Sequence, residues 1–181
     1  MKKFAFAVVI LSVVALSCRP AFVRKGLRDV STERVRLEEA RNHFMVLDTA
    51  QVRGVYKSYF AKIDSINKYF NDQYSDGAWK IMTEYGQIKE PLKEYLNSYP
   101  EISDEYQYSL QQLADLEYDL REKLISKEQY GMYIEKEREE NGKLIVKSNL
   151  ISENAVRNVN RYNTISPRID SLIIVFKAGA K

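Results

Sequence analysis

One histidine and one cysteine in 181 residues leave little of the chemistry on which enzymes run. A Ser-His-Asp or Cys-His arrangement has to use His43. A di-iron helical bundle needs two Glu-x-x-His units, which a single histidine cannot supply. Zinc lacks its usual ligands for the same reason. No phosphate-binding glycine loop and no dinucleotide fingerprint occurs. Beyond residue 18, no apolar run approaches the roughly 20 residues that cross a bilayer. Four prolines and seven glycines are few for this length. Glu, Lys, Leu and Tyr abound instead, a composition that suggests long helices. The formal net charge is +3, and Lys2 and Lys3 supply most of it. The rest of the chain is close to neutral, which argues against nucleic acid as a partner.

The first 18 residues account for the lone cysteine. Met1-Lys2-Lys3 is a charged start, residues 4–16 form an apolar stretch too short to span a bilayer, and Ser17 is a small residue before Cys18. The run Ala15-Leu16-Ser17-Cys18 resembles the lipobox of bacterial lipoproteins, although the usual leucine is replaced by Ala15. That resemblance implies a cleaved signal peptide over residues 1–17 and acylation (palmitate among the chains) of Cys18, which becomes the new N-terminus. Each buried methylene contributes about 0.8 kcal/mol, so several acyl chains anchor firmly where one does not. Arg19-Pro20 carries no aspartate of the kind that retains such proteins in the inner membrane, and no acidic cluster of the surface-export kind follows Cys18. By the sorting rules of that family, these absences imply the periplasmic face of an outer membrane.

The remainder divides into a tether, residues 18–30, and one helical domain, residues 31–178. Gly26 is expected to close the tether. Ser31 is expected to cap a helix, with Val30 and Val35 as a hydrophobic staple. Met45, Val52, Tyr59 and Ile66 keep seven-residue spacing, with Tyr56, Ile63 and Phe70 between them, so one helix to about Tyr74 is expected. Ser75-Asp76-Gly77 breaks the pattern. A second helix carries Ala78, Tyr85, Leu92 and Tyr99, is kinked or restarted at Pro91, and ends at Tyr99-Pro100. Ser103 is expected to cap a third, whose core face is Tyr106, Leu110, Leu113, Leu116 or Glu117, Leu120 and Leu124. Ser126-x-x-Gln129 is a capping box for a fourth, and Asn141-Gly142 is expected to stop it.

The last segment repeats at Ala155, Tyr162, Ile169 and Phe176, with Ile151, Asn158, Ile165 and Leu172 in the adjacent register. Its phase holds across Pro167, as one helix would. A short strand over residues 173–175 is left open by their β-branched side chains. Asn158 falls on the apolar seam and is a candidate for fixing helix register. The expected class is therefore all-α: an elongated bundle or coiled-coil hairpin of four to five helices. Residues 19–62 and 143–181 are basic and residues 101–140 acidic. This pattern suits terminal segments folded against the middle one, or independently solvated faces.

No residue is assigned a catalytic or metal-binding role, and no cofactor is expected. Asp115, Asp119 and Glu122 share a helix face, but without loop carbonyls they read as a solvated acidic stripe. A carboxylate pair for sugar hydrolysis stays open, since spatial separation is invisible in sequence. Tyr56, Tyr59, Tyr85, Tyr95, Tyr106 and Tyr162 fall on the seams. Tyr69, Tyr74, Tyr108, Tyr118, Tyr130 and Tyr133 are less fixed by pattern and are candidates for contact. Leu172, Ile173, Ile174, Val175 and Phe176 are either buried on all sides or a docking patch for a protein partner. The expected function is a non-enzymatic adaptor or accessory subunit of an envelope assembly, held to the bilayer by Cys18. A periplasmic chaperone-like clamp and a peptidoglycan-binding module are the alternatives. The seams do not distinguish an intramolecular bundle from a homo-oligomer.

Overall fold

A computed structural model describes residues 20–70 and 75–179, which are helical almost throughout and contain no strand. The signal segment, Cys18 and Tyr74 lie outside the described residues. Five helices follow one another: α1 (Ala21–Met45), α2 (Thr49–Tyr69), α3 (Asp76–Gly86), α4 (Lys89–Glu122) and α5 (Lys127–Gly179). They form three arms. The first is α1 with α2, the second α3 with α4, and the third is α5 alone, 53 residues long, or about 80 Å at 1.5 Å per residue. Gly26, Leu120 and Tyr130 meet at one end of the bundle, and Phe70 meets Phe176 at the other. The arms therefore run up, down and up, with α1 packed on both α4 and α5.

The apolar repeats specify this packing. Val52, Tyr59, Ile66, Tyr85, Leu92, Tyr106, Leu113, Ala155, Tyr162 and Ile169 are all buried. Met45 is half-buried, and Phe44 takes the core position beside it, stacked 5.4 Å from Tyr99. Leu116 lies in the core, whereas Glu117 reaches sideways to Arg34 at 2.5 Å. Leu124, beyond the end of α4, is exposed. The acidic α4 does lie against basic neighbours, through Arg34–Glu117 from α1 and Lys147–Glu101 (2.9 Å) from α5.

Several helix boundaries differ from the sequence expectation. Helix α1 begins at Ala21, so Gly26 and Ser31 lie inside it and Ser31 caps nothing. Val23 and Val30 bury against the other arms, which makes extending the helix worth more than a local cap. Gly26 is needed for contact: a Cβ there would stand 3.0 Å from Leu120 Cδ1 and 3.2 Å from Tyr130 Cζ.

The first arm breaks at Val46-Leu47-Asp48, where Asp48 caps α2 by accepting from the Ala50 amide at 2.8 Å. The fully buried Tyr95 hydroxyl lies 2.7 Å from the Leu47 carbonyl and 3.3 Å from that of Phe44, satisfying acceptors that the break releases. The second arm restarts at Lys89, placing Pro91 in the first turn of α4, where its missing N–H matters least. Helix α4 then passes through Tyr99-Pro100 and Ser103. Pro100 faces solvent, while Tyr95 and Ile102 on either side are fully buried. Their packing offsets an interior proline's roughly 3 kcal/mol.

Lys123 ends α4 in the left-handed region, φ 59°, with the Leu124 amide returning to the Asp119 carbonyl at 2.9 Å. The capping box at Ser126 forms as expected. The Ser126 amide donates to Gln129 Oε1 at 2.8 Å, and the Gln129 amide donates to Ser126 Oγ at 3.2 Å. Asn141-Gly142 does not stop α5, because Asn141 is fully buried and its Nδ2 donates to Glu33 Oε1 at 3.4 Å. Helix α5 also continues through Pro167 and residues 173–175.

Candidate functional site

His43 is exposed on α1, its Nδ1 3.3 Å from Asn149 Oδ1 on α5. Among the described residues, no group of three or more His, Cys, Asp or Glu side chains is placed to hold a metal ion. Asp115 of the acidic stripe accepts from Gln111 Nε2 at 2.7 Å. Among the described residues, no helix is long and apolar enough to cross a membrane.

The five C-terminal candidates do not form one patch. A helix turns 100° per residue, so neighbours face different ways. Ile173 is buried; Leu172 and Phe176 are half-buried against the core, Phe176 with its ring 5.1 Å from Phe70. Only Ile174 (67% exposed) and Val175 (63%) face solvent. Trp79, on α3 at the same end of the bundle, is also largely exposed.

Asn158 is buried on the seam as expected. Its Nδ2 donates to the Asn154 carbonyl of its own helix at 2.8 Å, and its Oδ1 is buried without a partner. The buried amide that does reach another arm is Asn141, opposite the buried Glu33 and near Arg36, 3.3 Å from the carboxylate. The sequence reading misses this pair because Asn-Gly usually signals a helix end. The available signal is the heptad phase, which brings Asn141 seven residues after the buried Ile134 and before the buried Ser148. Ser148 donates to the Ile145 carbonyl at 3.1 Å, which leaves the Tyr106 hydroxyl to donate to Ser148 Oγ at 2.6 Å.

The tyrosines separate into two populations. Tyr59, Tyr85, Tyr95, Tyr106 and Tyr162 are core residues, and Tyr56 is half-buried. Burial pushes the Tyr59, Tyr85, Tyr95 and Tyr106 hydroxyls upward from the ordinary phenol value. Tyr130 joins them: its ring is buried, its hydroxyl lies 3.2 Å from Asp29 Oδ2, and burial takes it up to about 12. Tyr108, Tyr118 and Tyr133 are exposed, and Tyr69 is half-buried under the ammonium groups of Lys68 and Lys177.

Tyr108 and Tyr133 border a groove between α4 and α5. Two adjoining cavities, of about 510 and 330 Å³, share Gln112, Lys136 and Glu137. Leu116 and Leu144 form the buried floor, while the walls are polar. Burial pushes the Glu137 carboxyl up, outweighing the nearby Lys136. The carboxyl of Glu101, by contrast, is held down by Lys147 and that of Glu139 by Lys143. A third hollow, about 380 Å³, lies between α1 and α5 beside His43, Val46 and Val156. No protein-family model, no curated protein and no solved structure matches the chain.

Proposed function

We propose that this chain is a non-enzymatic, lipid-anchored lipoprotein of a bacterial envelope, acting as a rigid adaptor for a partner protein. One observation carries the reading: the start of α1, which follows the segment resembling a lipobox in sequence, and the exposed apolar residues of α5 lie at opposite ends of the bundle. Helix α1 starts three residues after Cys18, a distance of at most about 10 Å of chain. Ile174 and Val175 lie near the other end of the 53-residue α5. A lipid at Cys18 would then hold those residues some tens of ångströms from the bilayer, at a height set by helix length. Confinement to a membrane surface raises the effective concentration of a co-resident partner without any new contact. The periplasmic face of an outer membrane is the location this reading assigns.

The test is membrane fractionation of the wild type and Cys18→Ser, followed by affinity capture from detergent-solubilised envelope. The adaptor reading expects Cys18→Ser to leave the membrane fraction, and one stoichiometric partner that Ile174→Asp releases. Membrane retention without acylation would overturn the anchor. A spread of unfolded outer-membrane proteins in place of one partner would make the chain a chaperone-like clamp.

A further inference from the structure

We propose that the groove between α4 and α5 binds a linear, uncharged glycan strand, with Tyr108 and Tyr133 as stacking platforms and Gln112 and Glu137 hydrogen-bonding its hydroxyls. This does not depend on the adaptor reading, since it concerns a different face of the bundle.

The trough is long and shallow. Its α5 residues run from Tyr133 to Lys147, about 21 Å along the helix, which suits an oligosaccharide better than a compact metabolite. A sugar ring presents an apolar face and a rim of hydroxyls. The trough offers the complement: tyrosine rings left uncovered (Tyr108 66% exposed, Tyr133 44%) among amide, hydroxyl and carboxylate groups. Both rings lie outside the apolar core, so a ligand can cover them without disturbing the packing. Glu137 is half-buried in the trough wall, where a carboxylate can accept from two neighbouring sugar hydroxyls.

Other ligand classes fit less well. Glu105, Asp115, Asp119 and Glu140 stand with Glu137 and outnumber the lysines. Of those lysines, Lys143 is already paired with Glu139 and Glu140, and Lys147 with Glu101 and Glu105. Phosphates and acidic peptides would meet net repulsion. A partner helix needs apolar pockets for anchors one turn apart, but the floor leucines, Leu116 and Leu144, are 5% and 6% exposed and give it almost nothing to cover.

The test is calorimetric titration of tetra-N-acetylchitotetraose into the detergent-solubilised full chain, with helicity of each variant checked by circular dichroism. Saturable binding is expected at millimolar ligand or below. Tyr108→Ala and Tyr133→Ala should each weaken it about tenfold, and Glu137→Gln should weaken it as well. Tyr118→Ala removes an exposed ring outside the trough and should leave binding unchanged. Absence of binding at millimolar ligand, or an equal loss in Tyr118→Ala, would overturn the proposal.

Discussion

The two halves of the bundle differ in the polar side-chain pairs buried in their cores. The half formed by α1, α4 and the start of α5 carries polar groups inside its core: Glu33 with Asn141, and Tyr106 with Ser148. Rings are common to both halves: Phe44, Tyr95, Tyr99 and Tyr106 cluster between α1 and α4 with centroids 5.4 to 6.3 Å apart. The half formed by α2, α3 and the end of α5 adds to its rings a side-chain pair that is only part-buried, the Tyr162 hydroxyl donating to Ser58 Oγ at 2.6 Å. Tyr59 stacks on Tyr85 at 4.7 Å, Tyr85 lies 6.1 Å from Tyr162, and Phe70 meets Phe176. Buried polar pairs restrict helix register because a slip leaves them unsatisfied. Stacked rings contribute area and dispersion but tolerate small slides. On this comparison, the half containing the start of α1 fixes the alignment of the three arms, and the far half adds stability while leaving Ile174 and Val175 outside.

Breaking each half separately tests that division. The largest effect is expected from Tyr85→Ala, which empties a fully buried aromatic position and should destabilise by about 3 to 5 kcal/mol. Hydrogen exchange should then accelerate in α2, α3 and the end of α5, with α1 near Val30 still protected. Uniform acceleration would mean that the halves unfold as one.

Asn141→Asp sets a second carboxylate beside buried Glu33 and should destabilise by about 2 to 3 kcal/mol at neutral pH. The folded pair would hold one proton that the unfolded chain releases near pH 4, so stability should recover as pH falls toward 5. A melting temperature insensitive to pH in this variant would show the two groups are not in contact.

A smaller loss, about 1 to 2 kcal/mol, is expected for Tyr95→Phe, which withdraws the hydroxyl from the Leu47 and Phe44 carbonyls where the first arm breaks. Faster exchange confined to the start of α2 would mark the break as the junction between halves. In the wild type, alkaline pH should weaken both halves. Unfolded phenols ionise near 10, while burial holds Tyr85 and Tyr95 neutral above that value, and Tyr130 up to about 12. Stability is therefore complete below pH 10 and declines above it, which thermal melts across that range would display.

The periodic core and the all-α class were legible in the sequence, because heptad spacing reports which face is buried wherever the helices lie. Capping at Ser126 was legible too, being local. Ser31, Tyr99-Pro100 and Asn141-Gly142 misled because each is a local stop signal set against packing from residues far away in the chain. Val23 and Val30 carry α1 past Ser31, Tyr95 and Ile102 carry α4 past Pro100, and Glu33 holds Asn141. The opposite error occurred at Val46-Leu47-Asp48, a break with neither glycine nor proline, signalled only by Asp48 as a cap. At the C-terminus the sequence located an apolar segment but not its division into buried Ile173 and exposed Ile174 and Val175. Among the tyrosines left unassigned by pattern, Tyr108 and Tyr133 border the groove. The groove itself arises from the pairing of α4 with α5, which no local pattern encodes.

The central claim is that the exposed residues near the end of α5 meet a partner at a height fixed by the anchored rod. Site-specific photo-crosslinking in cells from position 174, compared with exposed Met132 near the opposite end of the bundle, tests it most directly. The account predicts one envelope protein captured from 174 and not from 132, with capture lost when Cys18→Ser frees the chain from the membrane. Capture from 174 that survives Cys18→Ser, or only self-crosslinks from both positions, would contradict it.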